Sequence, residues 1–128
     1  MKVRYARLRD YKGQGDDPSF TIGKIYIALG VRFPPEGRSV MITVQRDSDS
    51  TPVLVELQYF DVIDPAVPNY WNFLDFDSGS YSIAPREFGG DFWDRFHDAD
   101  PDAERTFRQV IKRIEVFHAE LATPLAAR

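Results

Sequence analysis

The fold is decided by residues 24–46, which read KIYIALGVRFPPEGRSVMITVQR. Residues 24–33 are dense in β-branched and aromatic side chains, and such side chains favour an extended strand. The PPEG sequence at 34–37 ends that strand, because proline has no N–H to donate to a ladder. Residues 39–46 then alternate between apolar and polar side chains. Two strands around one turn predict an antiparallel sheet at the centre of the fold.

Further strand patterns lie on both sides of this centre. Residues 2–7 alternate between apolar and charged side chains. Residues 53–63 are too long and too polar for one flat strand, so we expect two segments with a bend or bulge between them. Residues 71–83 predict a hairpin about a Ser78-Gly79 turn.

The C-terminal part of the chain predicts one long helix. Asp100 precedes Pro101, which fits an N-cap followed by proline at the first helical position. Apolar side chains then recur at spacings of three and four and form a stripe along one face. The stripe consists of Ala103, Phe107, Val110, Ile114, Phe117 and Leu121. We expect the helix to cover residues 101–121 and to pack on the sheet by this stripe.

Together these elements predict an α+β fold that is mainly β. We expect a small antiparallel barrel or curved sheet of about six strands, with one C-terminal amphipathic helix packed on it. The 128 residues contain no internal repeat and no domain boundary, so we expect a single domain, 1–128. Within it, residues 1–84 form the barrel or sheet, 85–99 a junction with a short helical turn, and 101–121 the helix.

The composition narrows the classes of function. The chain has no cysteine, which removes thiol nucleophiles, Cys-ligated zinc and iron–sulfur clusters. It has no apolar run of membrane-spanning length and does not begin with a secretory signal pattern, so we expect a cytoplasmic protein without a membrane partner. No recognisable nucleophile, base and electrophile are assembled by spacing, so we expect no enzymatic activity, no cofactor and no metal.

Two patterns that could carry chemistry have simpler interpretations. Asp98, Asp100 and Asp102 alternate like the start of a calcium loop, but the glycine and the bidentate glutamate of that loop are missing, so helix capping is favoured. His97 and His118 could act as an acid and a base, but nothing in the sequence ties them together.

The clearest functional signal is a stretch rich in both acids and aromatics. Between Asp75 and Asp102, eight acidic residues face only two arginines, and nine of the eighteen aromatic residues lie within residues 70–96. Aromatic side chains ringed by charge are typical of interface hot spots. We therefore predict a partner-binding surface in the junction, formed by Asp91, Phe92, Trp93, Asp94 and Asp98.

In this interpretation the acids steer a basic protein partner, and Phe92 and Trp93 anchor it. For Trp93, core packing and interface are both open. Trp71, Phe73 and Tyr81 belong to the predicted hairpin and are expected in the core.

The alternative site is the basic cluster Arg4, Arg7, Arg9 and Lys12. With nearby tyrosines, such a strand could bind nucleic acid or a small ligand. The net charge of −4 disfavours nucleic acid, and a solvated strand face explains the same residues.

Two stretches resemble known families. Residues 21–30, TIGKIYIALG, are similar to the first turn and strand of small bacterial Src-homology-3-like barrels, in which a Gly-Lys-x-Tyr element (here Gly23, Lys24 and Tyr26) opens the second strand. Residues 92–103, FWDRFHDADPDA, resemble the C-terminal part of immunity proteins from bacterial polymorphic-toxin and contact-dependent inhibition systems. The resemblance implies a non-enzymatic protein that binds and neutralises one cognate toxin.

Overall fold

A computed structural model describes residues 1–122 of the chain, which form two antiparallel sheets and two helices. The strands are β1 Lys2–Tyr5, β2 Ile25–Ile27, β3 Gly30–Phe33, β4 Met41–Gln45, β5 Pro52–Glu56, β6 Phe60–Asp64, β7 Trp71–Asp75 and β8 Tyr81–Pro85. The helices are α1 Phe92–His97 and α2 Pro101–Ala122, with 3-10 turns at Leu57–Tyr59 and Arg86–Phe88. The strand orders are β2-β1-β6 and β5-β4-β3-β8-β7.

The predicted fold class is confirmed, with two corrections to its details. The fold is mainly β with one long C-terminal helix, but residues 1–122 contain eight strands rather than about six. They form two sheets that are not closed into a barrel. Of the two expected arrangements, the closed Src-homology-3-like barrel is therefore wrong.

One of the additional strands comes from a break inside the predicted strand 24–33. Ala28 and Leu29 are buried between β2 and β3, which lie in different sheets. The Ala28 N–H donates to the Met1 carbonyl at 2.9 Å, and the Leu29 N–H donates to the Thr43 carbonyl at 2.8 Å. Consecutive N–H groups thus bond to different sheets, and the chain crosses from one to the other without a polar turn.

The other element predictions are confirmed. Residues 53–63 divide at a 3-10 turn, and β7 and β8 form the hairpin. At the start of α2, the Asp100 side chain accepts a hydrogen bond from the Asp102 N–H at 3.0 Å, as expected of an N-cap.

The buried stripe of α2 ends differently from the prediction. It runs through Ile114 and then His118, whereas Leu121 is exposed. His118 lies four residues after Ile114 and therefore continues the same face of the helix. Leu121 lies one turn beyond His118, past the buried part of the stripe. The His118 Nε2 lies 3.2 Å from the Met1 nitrogen, and burial lowers the pKa of the His118 imidazole.

Two cores lie on opposite faces of the five-stranded sheet. On one face, which we call the sheet face, Ile42, Val44 and Val55 pack against the three-stranded sheet. On the other, which we call the helix face, Ala84 packs in a cluster with side chains of α1 and α2. The three-stranded sheet covers the β4 and β5 end of the sheet face, and this leaves the β7 and β8 end open.

Candidate protein-binding surface

The acidic half of the predicted junction site is exposed. Asp94 on α1 and Asp98 at its C-terminal cap form no ion pair within residues 1–122. Asp91 is also exposed, but its Oδ1 lies 3.1 Å from the Nε of Arg95. Three predicted carboxylates therefore reach solvent, and two of them are uncompensated.

The aromatic half of that site does not form an exposed anchor. Phe92 is only 1% exposed and belongs to the core on the helix face, so its predicted role as an anchor is wrong. Trp93 is half-buried, and its ring centroid lies 4.7 Å from that of Phe88 and 6.1 Å from that of Phe107. The physical reason is that α1 lies on the sheet, which places its aromatic side beneath and its acids outside.

The alternative basic site is largely neutralised by acids. Arg7 lies 3.0 Å from Asp61, and Arg9 lies 2.8 Å from Glu56 and 2.9 Å from Asp17. Hydrogen bonding to Glu56 raises the pKa of the Arg9 guanidinium, with Asp17 adding to the effect. Arg4 and Lys12 are exposed and form no ion pair within residues 1–122. Two isolated cations do not make the clustered positive surface that phosphate binding requires.

The hairpin reverses the expectation for two of its three predicted core aromatic residues. Trp71 is buried, as predicted, but Phe73 is 66% exposed and Tyr81 is 37% exposed. The Phe73 and Tyr81 rings are stacked, with centroids 5.3 Å apart and planes inclined by 25°. The expectation that these two rings belong to the core is therefore wrong.

The strand register explains why these rings lie together. Phe73 is opposite Ile83, and Asp75 is opposite Tyr81. Opposite residues of antiparallel strands project to the same face, so all four side chains share the open end of the sheet face. Phe73, Tyr81 and Ile83 form what we call the hairpin patch, and Asp75 borders it. The sequence did hold a signal for this exposure, because Asp75 follows Phe73 by two residues on the same strand face.

Comparison of the chain with protein-family models, with curated proteins and with solved structures gives no match. Within residues 1–122, neither helix is both long enough and apolar enough to cross a membrane. In the same part of the chain, no group of three or more His, Cys, Asp or Glu side chains is placed to hold a metal ion.

Proposed function

We propose that this chain is a non-enzymatic, cytoplasmic binding protein that neutralises a basic toxin domain, and that the hairpin patch is its principal contact surface. The observation that carries the proposal is the stacked pair of Phe73 and Tyr81 on an uncovered sheet face. Exposed aromatic side chains held rigidly beside an aliphatic residue have the composition of a binding hot spot.

The position of β7 at the edge of the five-stranded sheet supports the same contact surface. β7 has a strand neighbour on one side only within residues 1–122. In the hairpin the Phe76 N–H donates to the Ser80 carbonyl at 3.1 Å, so by alternation the main-chain groups of Phe73 and Asp75 point away from β8. A strand of a partner could pair there and extend the sheet while its side chains contact the hairpin patch.

Apart from the charge of Asp75, nothing in β7 protects this edge from pairing. The strand reads WNFLD, contains no proline or lysine, and shows no register shift against β8. Proteins usually protect exposed edges with such residues or with bulges, because an open apolar edge promotes aggregation. A partner that covers the β7 edge would explain why the edge has so little protection beside two exposed rings.

The charge around the hairpin patch selects the kind of partner. Residues 71–85, which form the hairpin, contain Asp75 and Asp77 and no lysine, arginine or histidine. Asp75 lies beside Tyr81 and has no ion pair within residues 1–122. Such a surface attracts a basic protein and accelerates its association.

A toxin domain is the basic partner that the sequence resemblance indicates. If that toxin is a nuclease, its cleft must be positive to hold phosphate, so an acidic and aromatic surface would compete for it by charge and by shape. In this proposal Asp75 supplies charge beside the hairpin patch, and the hairpin supplies the apolar contact that the sequence assigned to Phe92.

The test measures binding of the purified toxin domain encoded by the gene immediately upstream. Phe73→Ser should weaken its affinity by about 30-fold, the effect of losing a hot-spot residue. Tyr81→Ser should weaken it by a similar factor, since the rings are stacked. Tyr11→Ser is the matched control, because Tyr11 is 38% exposed and lies outside the hairpin patch.

Two results would contradict the proposal. Equal affinities for Phe73→Ser and Tyr11→Ser would remove the hairpin patch as the contact surface. A neighbouring gene that encodes no basic protein would remove the toxin as the partner.

A further inference from the structure

A cavity of about 280 Å³ lies on the helix face, the opposite side of the sheet from the hairpin patch. Its walls come from β3, β4, β5 and α1. They include Arg32, Thr43, Pro52, Leu54, Trp93 and His97. An adjoining cleft of about 490 Å³ shares Pro52 and His97 with the cavity and leads towards α2. The volume of the cavity suits a small molecule, close to the lower end of the usual range for ligand sites.

Arg32 is the unusual residue of this cavity. Three arginines of residues 1–122 are half-buried, and Arg9 and Arg46 each pair with a carboxylate. Arg32 has no carboxylate partner within that part of the chain. A half-buried charge without a counter-ion is costly, because it loses hydration and gains no ion pair.

The contacts of Arg32 leave one side of its guanidinium available. Its Nε donates to the Ser82 Oγ at 3.0 Å, and its guanidinium carbon lies 4.3 Å from the ring centroid of Phe76. These contacts fix the plane of the group and use one of its five N–H donors. Burial lowers the pKa of Arg32, although the group stays charged at neutral pH.

The opposite wall is rigid and aromatic. The Trp93 ring is held by Phe88 and Phe107, and His97 stacks on it at 6.2 Å between ring centroids with planes 29° apart. Leu54 and Pro52 complete an apolar boundary. A ligand that reaches Arg32 therefore passes between apolar and aromatic surfaces.

From this arrangement we infer that the cavity is a binding site for a small organic carboxylate, with the carboxylate on Arg32 and an apolar body against Trp93 and Leu54. The two free Nη groups match the two oxygens of a carboxylate in the bidentate arrangement that arginine favours. One guanidinium balances one negative charge, whereas a phosphate dianion would keep a net charge. The adjoining cleft adds no net positive charge to balance that excess, because Glu104 and Asp49 line it together with Arg108.

The test is a titration with benzoate followed by the NMR signals of the Arg32 Nε–H and the two indole N–H groups. Benzoate should shift the Arg32 and Trp93 signals in a saturable way and leave the buried Trp71 signal unchanged. Benzamide has the same shape without the charge, and it should bind at least about tenfold more weakly. Inorganic phosphate should also bind more weakly than benzoate.

Two substitutions then test whether Arg32 supplies the positive charge that holds the ligand. Arg32→Gln should weaken benzoate binding at least about tenfold, whereas the exposed Arg38→Gln should leave it unchanged. The inference is overturned if benzoate gives no saturable shift, if benzamide binds equally well, or if both variants behave alike. The benzamide comparison uses the unaltered protein, so it remains decisive even if Arg32→Gln does not fold.

Discussion

The hairpin of β7 and β8 and the junction that follows it contain a similar number of aromatic residues but bury them differently. In the hairpin, Phe73 and Tyr81 are exposed and stack on each other. In the junction, Phe88 and Phe92 are almost fully buried, and their ring centroids lie 5.1 Å apart. The aromatic content of a segment therefore shows how much apolar surface the segment carries. The packing of distant elements determines which part of that surface is covered.

The physical cause lies in how the five-stranded sheet is covered. The helix face meets α1 and α2, so the junction, which includes α1, lies directly in a core. The sheet face meets the three-stranded sheet only towards β4 and β5, so the hairpin at the other end has one face without a covering layer. Because strand side chains alternate between faces, the hairpin is half core and half surface.

The strongest test of this comparison is the truncation of Phe92. Phe92→Ala should lower the free energy of unfolding by about 3–5 kcal/mol, because it empties a buried aromatic site. Urea denaturation followed by circular dichroism measures the change. A loss for Phe92→Ala below about 1 kcal/mol would place Phe92 on the surface, as the sequence suggested, and would reverse the comparison.

A second test addresses the close packing of the helix face. Gly30 on β3 meets Ala84 on β8, and a Cβ built on Gly30 would lie 2.9 Å from the Ala84 Cβ. Gly30→Ala should therefore cost about 1–3 kcal/mol in the free energy of unfolding, as overpacking usually does.

The control for Gly30→Ala is a double variant. Ala84→Gly removes the atom that the new methyl group would meet, so the two changes together should cost less than the sum of their separate effects. Additive costs in the same urea denaturation experiment would show that the two positions do not touch.

Local signals predicted the elements of the fold well. The capping of α2 by Asp100, the hairpin and the division of residues 53–63 each follow from side chains within one or two turns of chain. The crossing at Ala28 and Leu29 was missed, because an apolar run shows the same pattern whether it stays in one sheet or passes between two.

The candidate sites were harder to predict, because exposure depends on long-range packing. Asp94 and Asp98 are exposed, as their charge alone suggested. Phe92, which was expected at the surface, is buried, and Phe73, which was expected in the core, is exposed. Arg32 gave no signal in the sequence, since its lack of a carboxylate partner is a property of the packed structure.

The smallest expected effect on the free energy of unfolding is that of replacing Phe73, whose exposure defines the hairpin patch as a surface. Phe73→Thr replaces the ring with a β-branched side chain that also favours a strand, and it removes the contact with Tyr81. An exposed cross-strand pair contributes only about 0.2–1 kcal/mol. We therefore expect the free energy of unfolding to fall by less than about 1 kcal/mol in urea denaturation, against the much larger loss for Phe92→Ala. A loss for Phe73→Thr as large as that for Phe92→Ala would mean that Phe73 supports the core. A small loss combined with weakened toxin binding would separate the two roles, because a residue that contributes to affinity and not to folding must contact the partner directly.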